Sequence, residues 1–114
     1  SKDCCQVERL EMNLVYAPTA WLSLDKSIDF LQLQGVPENK ISEIVQEAFE
    51  KAETLKKFPF IGQKETMLFS RKNRYRRLII RFFKIVYFIE GENIFIVAFF
   101  DTRQDPEKLR SEFL

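Results

Sequence analysis

Residues 76–100 read RRLIIRFFKIVYFIEGENIFIVAFF and contain most of the strand-forming sequence of this chain. β-Branched and aromatic side chains predominate, which predicts strands at Arg76–Ile80 and Phe82–Glu90 with a tight turn near Arg81. Residues 91–93, Gly-Glu-Asn, are typical of a turn. Ile94–Phe100 is apolar at successive positions, a pattern that indicates a strand buried on both faces. The stretch therefore predicts a β-meander whose last strand lies in the interior of a sheet.

Helical periodicity characterises the half of the chain that precedes this meander. Asn13–Tyr16 is a short strand candidate. From Thr19 onward, apolar residues recur every three or four positions until Gly35 and Pro37 end the pattern. A second, continuous apolar stripe extends from Ile41 to Leu55. Because only a short link separates the two helices, they are predicted to form an antiparallel hairpin.

The order of these elements predicts an α+β fold. We expect an N-terminal strand, an antiparallel helical hairpin, a largely antiparallel β-meander and a short C-terminal helix within Pro106–Phe113. The regular patterns begin at Met12, and 114 residues suffice for one core but not for two. Residues 12–114 are therefore predicted to be a single domain, and residues 1–11 an N-terminal extension or an arm encoded by the expression vector.

Composition excludes several classes of site. The chain has no His, which rules out Ser-His-Asp and Cys-His nucleophiles and removes the commonest metal ligand. Cys4 and Cys5 are adjacent, so they can neither cross-link the domain nor complete a zinc site. Neither a metal nor a cofactor is predicted. No segment is long and apolar enough to span a membrane, and a signal-peptide core is absent, so we expect a cytoplasmic protein with no membrane partner.

Positive charge is concentrated in the C-terminal half of the chain. The net charge is only +1, which argues against strong general affinity for nucleic acid. Residues 38–53 contain five Glu and two Lys, and Glu43, Glu47 and Glu50 are interpreted as a solvated helix face. Residues 66–89 contain no acidic side chain and seven basic ones, namely Arg71, Lys72, Arg74, Arg76, Arg77, Arg81 and Lys84.

Strand alternation divides the meander into two faces. One face can be buried beneath the helices, whereas the other is expected to stay partly open, because buried unpaired cations are very costly. The cations then form either a solvated sheet edge or a surface that binds an anionic partner, and their number beside several aromatic residues favours binding. In the second strand of the meander, one face carries Phe83, Ile85, Tyr87 and Ile89 and the other carries Phe82, Lys84, Val86 and Phe88.

Several segments, in the same order along the chain, resemble the RelE/ParE superfamily of bacterial toxins, the toxic halves of type II toxin–antitoxin pairs. The similar segments extend from Met12 to about Leu109. They are LVYAPTAWLSL (residues 14–24), LKKFPFIG (residues 55–62), YRRLIIRFFKIVYFIEGENIFIVAFF (residues 75–100) and DTRQDPEKL (residues 101–109). The resemblance implies the α+β fold already predicted and a cognate antitoxin as partner.

The superfamily implies two activities on one fold. RelE-like members cut mRNA on the ribosome, and in such a protein Arg77, Arg81 and Arg103 would hold the phosphate while Tyr87 assisted proton transfer. ParE-like members inhibit DNA gyrase and lack that catalytic set. Where many members carry His after the last strand, this chain has Asp101-Thr102. That departure favours a ParE-like toxin, with plasmid or locus stabilisation as its role.

Three hypotheses therefore remain open for the function. The protein inhibits gyrase, cuts ribosome-bound mRNA, or keeps the toxin fold and only pairs with an antitoxin. In each case an acidic, partly disordered antitoxin segment is expected to fold on the basic surface. Arg74, Arg76 and Lys84 are predicted to contact an anionic partner. Asp101 and Asp105, on either side of Arg103, are predicted to form a local ion pair with it or to cap the last helix.

Overall fold

The computed structural model describes residues 11–64 and 75–103, and this part of the chain confirms the predicted α+β class. The predicted C-terminal helix and residues 1–10 lie outside the described residues. Neither described helix has the length and apolarity that crossing a membrane requires. The elements are β1 (Asn13–Tyr16), α1 (Pro18–Leu33), α2 (Glu38–Glu53), β2 (Gln63–Lys64), β3 (Arg76–Ile80), β4 (Phe83–Glu90) and β5 (Asn93–Asp101), with a 3-10 turn at Thr54–Lys56 after α2.

The five described strands form one sheet in the order β1-β5-β4-β3-β2. β1 is parallel to β5, and the other neighbouring pairs are antiparallel. β5 lies between β1 and β4, so the interior position predicted from its apolar sequence is confirmed. Val86 pairs with Ala98 and Tyr87 with Ile96. Val97 is therefore an extra residue in β5 and forms a β-bulge. Because of this bulge, the residues before and after Val97 stay paired with residues of β4 on the same faces of the sheet.

The turn between β3 and β4 is the tight turn predicted near Arg81. Ile80 pairs with Phe83, so Arg81 and Phe82 are the two turn residues and β4 begins one residue later than predicted. Arg81 adopts a positive φ of 55°, which two-residue hairpin turns require and which costs a non-glycine residue about 1 kcal/mol. β2 was not predicted, because two exposed polar residues carry no strand signal.

Both helices pack on one face of the sheet, where the main core lies. Trp21 at the start of α1 stacks 5.9 Å from Phe49 near the end of α2 (ring centroids), which confirms the antiparallel hairpin. Tyr16 and Phe99 complete this aromatic cluster against the sheet. The largest fully buried side chains of the core are Leu31, Leu55, Phe83, Ile85, Tyr87, Ile94, Ile96 and Phe99.

The opposite face of the sheet is less open than the sequence suggested. A second apolar cluster of Val86, Val97, Ala98 and Phe100 is buried there, and Lys84 beside it is only 8% exposed. Among the described residues, the expected partly open face is found at β3, where Ile79 is 52% exposed, and at the β1 edge, where Val15 is 38% exposed. Alternation assigned the residues to the correct faces, but it could not show how much of each face is covered.

Hydroxyl groups of α1 complete the hydrogen bonding of β5 where β1 ends. Thr19, Ser23 and Ser27 follow one another at every fourth position and so lie on one side of the helix. The Thr19 hydroxyl donates to the Val97 carbonyl (2.8 Å), and the Ser27 hydroxyl donates to the Phe99 carbonyl (3.0 Å). The Phe99 amide donates to Ser23 Oγ at 2.9 Å. The helix thus takes the place of a neighbouring strand along this edge.

Candidate partner-binding site

Tyr87 holds a loop against the sheet from a fully buried position in β4. Its hydroxyl donates to the Pro59 carbonyl at 2.9 Å and accepts from the Gly62 amide at 3.0 Å. Burial raises the pKa of Tyr87 above the ordinary value of 10.0, and this exceeds the lowering by hydrogen bonds with Gly62 and Arg76. A phenol held neutral in this way acts as a structural anchor.

Arg76 fixes this loop and Arg77 fixes the β2 segment that follows it, each from its own side of the sheet. Arg76 pairs with Tyr87 across β3 and β4, and its Nη2 donates to the carbonyls of Gly62 (2.9 Å) and Phe60 (3.3 Å). Arg77 Nη1 donates to the Lys64 carbonyl at 2.7 Å. Because side chains alternate along β3, Arg77 lies on the face opposite Tyr87. These contacts explain why the two residues of β2 stay paired with β3.

Arg81 and Arg103 meet at the other end of the sheet, around a small pocket that both line. Arg81 forms an ion pair with Glu47 at 2.9 Å, a contact that the sequence did not predict on this solvated helix face. Arg103 pairs with the buried carboxylate of Asp101 at 2.8 Å, which confirms the predicted local ion pair. The hydrogen bond with Asp101 raises the pKa of Arg103 above its ordinary value. The guanidinium also stacks on Phe82, 4.5 Å from the ring centroid.

The four residues predicted for catalysis therefore do not form one site. Tyr87 faces the helices, and Arg77 faces the other side of the sheet. Arg81 lies in the β3–β4 turn and Arg103 just after β5, each paired with a carboxylate. Lys84 is buried and Arg74 lies outside the described residues. Within residues 11–64 and 75–103, no group of three Cys, Asp or Glu side chains is placed to hold a metal ion.

Comparison with known proteins agrees with this fold. A family model described as the ParE toxin of the type II toxin–antitoxin system parDE matches residues 14–106. The chain belongs to the ParE toxin family. It is thus a type II toxin, and the resemblance to the ParE-like side of the superfamily is confirmed.

A solved structure has a fold similar to that of this chain. It is described as the chromosomal ParDE toxin–antitoxin system from P. aeruginosa, and it covers 82% of this chain and 98% of its own with a TM-score of 0.63. Sequence identity is 22%, so this likeness concerns the fold. No curated protein sequence matches the chain significantly.

In this ParE family member, an open apolar groove between the helices is a surface that the sequence analysis missed. The residues that line it include the aromatic Tyr16, Trp21 and Phe49 and the acidic Glu50 and Glu53. Trp21 is 47% exposed although it stacks on two rings. The apolar stripe of each helix was visible in the sequence. The gap that the two helices leave between them depends on the sheet on which they rest.

The anchoring role of Tyr87 predicts a specific loss of stability at alkaline pH. The pKa of Tyr87 is raised in the folded state. The folded protein therefore keeps the phenol proton at pH values above about 10, where the unfolded chain loses it. This contribution is complete below pH 10 and is lost as pH rises through the folded-state pKa. Urea denaturation from about pH 8 to about pH 11 should therefore give a shallower decline in the free energy of unfolding for Tyr87→Phe than for the parent.

Tyr16→Phe provides the matched comparison for this measurement. The pKa of Tyr16 is also raised, by burial and then by the charge of Glu53, so that variant should likewise lose part of the alkaline decline. Parallel curves for Tyr87→Phe and the parent would show that the buried hydroxyl ionises as readily in the folded as in the unfolded chain.

Proposed function

We propose that this chain inhibits DNA gyrase and is neutralised by a cognate antitoxin, acting in the cytoplasm where both partners would be found. Membership of the ParE toxin family supports this proposal. The observation that carries the choice of gyrase over mRNA cleavage is the structural use of the Tyr87 hydroxyl. With that hydroxyl in structural use, the described residues favour a toxin that acts by binding, and gyrase inhibition requires no chemistry of the toxin's own.

Cleavage of mRNA would require an acid or base at the scissile phosphate together with cations that stabilise its charge. Tyr87 is fully buried, and its hydroxyl already serves Pro59 and Gly62. Its pKa is shifted upward, away from the neutral range in which a proton-transfer group works best. Arg77 is on the opposite face. The arrangement favours a binding protein.

The antitoxin is expected to bring acidic side chains to the basic side of the molecule. Arg76 and Arg77 stand at the β2–β3 edge of the sheet, and Lys64 is exposed next to them. A disordered acidic segment could follow this edge and fold as it binds, with ion pairing that strengthens at low salt. Loss of binding of an acidic antitoxin in an Arg77→Glu/Lys64→Glu variant would support this placement.

The proposal predicts inhibition of gyrase by the purified toxin without cleavage of mRNA. In a supercoiling assay with relaxed plasmid, added toxin should reduce the supercoiled product in proportion to its concentration. Primer extension on mRNA in a purified translation system should show no new ends. The Arg81→Ala/Arg103→Ala variant should inhibit gyrase as the parent does, provided that its thermal unfolding shows it to be folded.

The same two assays separate the competing hypotheses. Ribosome-dependent cuts that disappear in Arg81→Ala/Arg103→Ala would identify an mRNA endonuclease and overturn the gyrase proposal. An uninhibited gyrase together with harmless overexpression in the absence of any antitoxin would identify a protein that keeps the toxin fold and has lost toxicity.

A further inference from the structure

The loop at residues 57–62, here called the aromatic loop, exposes three large apolar side chains side by side. Phe58 is 60% exposed, Phe60 67% and Ile61 50%. Scattered apolar side chains are ordinary on protein surfaces, but a contiguous group at one loop is typical of an interaction site. The choice of gyrase over mRNA rests on the Tyr87 hydroxyl that anchors this loop, whereas its exposed side chains have no part in that choice.

Buried polar groups fix the backbone of the aromatic loop in the conformation that exposes these side chains. Tyr87 bonds both Pro59 and Gly62, and Arg76 donates to the carbonyls of Phe60 and Gly62. Within the loop, the Ile61 amide donates to the Phe58 carbonyl at 3.2 Å. A binding surface that is rigid before its partner arrives loses less conformational entropy on association. The exposed side chains are therefore presented by a preorganised scaffold.

The surroundings of the aromatic loop are basic. Between residues 54 and 64 and between residues 75 and 77 the chain has no acidic residue, and its charged residues there are Lys56, Lys57, Lys64, Arg76 and Arg77. Lys56 pairs with Glu53 at 2.9 Å. The contacts of Arg76 with the loop are to neutral carbonyls. A partner with negative charge around an apolar contact would complement this surface.

We propose that the aromatic loop is a docking site for an acidic protein segment that carries aromatic or aliphatic side chains. Phe58, Phe60 and Ile61 contact the apolar side chains of the segment, while Lys57 and Lys64 face its carboxylates. This assignment rests on the proposed function and deepens it: Lys57 and the exposed apolar side chains extend the surface on which an acidic antitoxin segment binds beside Lys64, and testing it does not depend on the toxin's target.

A protein occupant fits the loop better than single-stranded nucleic acid does. Bases bind by stacking on open aromatic faces. The Arg76 guanidinium already covers Phe60, 5.3 Å from the ring centroid, and Ile61 has no ring to offer. Aromatic and arginine side chains around a central apolar contact are the composition of protein–protein hot spots.

Selection from a displayed random-peptide library tests the proposal without knowledge of the natural partner. The parent protein should enrich peptides that combine Asp or Glu with aromatic or aliphatic residues. Fluorescence anisotropy should show their affinity reduced about tenfold or more by Phe58→Ser/Phe60→Ser, since each side chain at a hot spot contributes more than about 1 kcal/mol. Leu33→Ser is the matched control, because Leu33 is 84% exposed at the end of α1 and should leave affinity unchanged.

A charge variant tests the same surface without altering its apolar side chains. Lys57→Glu/Lys64→Glu should weaken the same peptides, and added salt should weaken their binding to the parent. The proposal is overturned if no peptide is enriched, if the enriched peptides lack acidic residues, or if both folded variants bind as the parent does. Tighter binding of a single-stranded oligonucleotide or of phosphatidylserine vesicles, lost in the same variants, would also overturn it.

Discussion

The Ser23→Ala/Ser27→Ala double substitution should lower the free energy of unfolding by about 2–4 kcal/mol. Ser23 and Ser27 are 3% and 1% exposed, and their hydroxyls serve the amide and the carbonyl of Phe99. Alanine leaves both backbone groups buried without these partners, at about 1–3 kcal/mol each. Alanine's better helix propensity offsets this cost by a few tenths of a kcal/mol per site. Urea denaturation followed by circular dichroism measures the difference.

Ser42→Ala is the control that separates lost hydrogen bonds from effects of serine in helices. Ser42 lies in α2 and is exposed, so its replacement should be neutral or slightly stabilising. A double variant as stable as Ser42→Ala would mean that water or a shifted backbone satisfies Phe99. Each single variant should lose about half of the effect, because Ser23 and Ser27 bond different groups of Phe99.

The hydrogen bonds from Thr19, Ser23 and Ser27 to β5 show which features of the fold could be predicted from the sequence and which could not. Apolar periodicity predicted the buried face of α1, which includes Leu24, Ile28 and Leu31. Thr19, Ser23 and Ser27 repeat with the same spacing beside that face, so a signal existed. The function of these hydroxyl groups could not be predicted, because it depends on the assembled sheet. β1 ends at Tyr16 and therefore leaves the last residues of β5 without a strand neighbour on that side.

The candidate site was less predictable, because long side chains find their partners only in the folded protein. Alternation placed Tyr87 with Phe83 and Ile85 on the face that the helices bury, and the structure confirms this. The catalytic role suggested by the family resemblance conflicted with that placement, since a buried phenol is poorly suited to proton transfer. Glu47 is separated from Arg81 by more than thirty residues, so no local pattern predicted their ion pair.

Gly62 allows the aromatic loop to pack closely against Tyr87 and the Arg77 backbone, because glycine has no side chain. Gly62→Ala should lower the free energy of unfolding by about 2–4 kcal/mol. An added Cβ would lie 2.5 Å from Tyr87 Oη and 2.6 Å from the Arg77 carbonyl, both far inside van der Waals contact. The loop must move, which strains the site by about 1–3 kcal/mol and weakens the buried hydrogen bonds to Tyr87. Thermal and urea denaturation measure this loss.

Gly91→Ala is the matched control for steric contact at Gly62. Gly91 has a φ of 62°, and no atom lies within 4 Å of the position that an added methyl group would occupy, so alanine there meets only backbone strain of about 1 kcal/mol. Equal losses for the two alanine variants would show that the close approach at Gly62 is relieved without cost.

A double-mutant cycle with Tyr87→Phe identifies which contact makes Gly62 necessary. Tyr87→Phe removes the oxygen at 2.5 Å but leaves the Arg77 carbonyl in place, so alanine at residue 62 should cost less in the phenylalanine background without becoming neutral. A cost that does not change between backgrounds would assign the effect to the Arg77 carbonyl and to the ring carbon Cε1 at 2.9 Å, which phenylalanine keeps. Because the same hydroxyl bonds Pro59, Tyr87→Phe should also loosen the aromatic loop and weaken whatever docks on it.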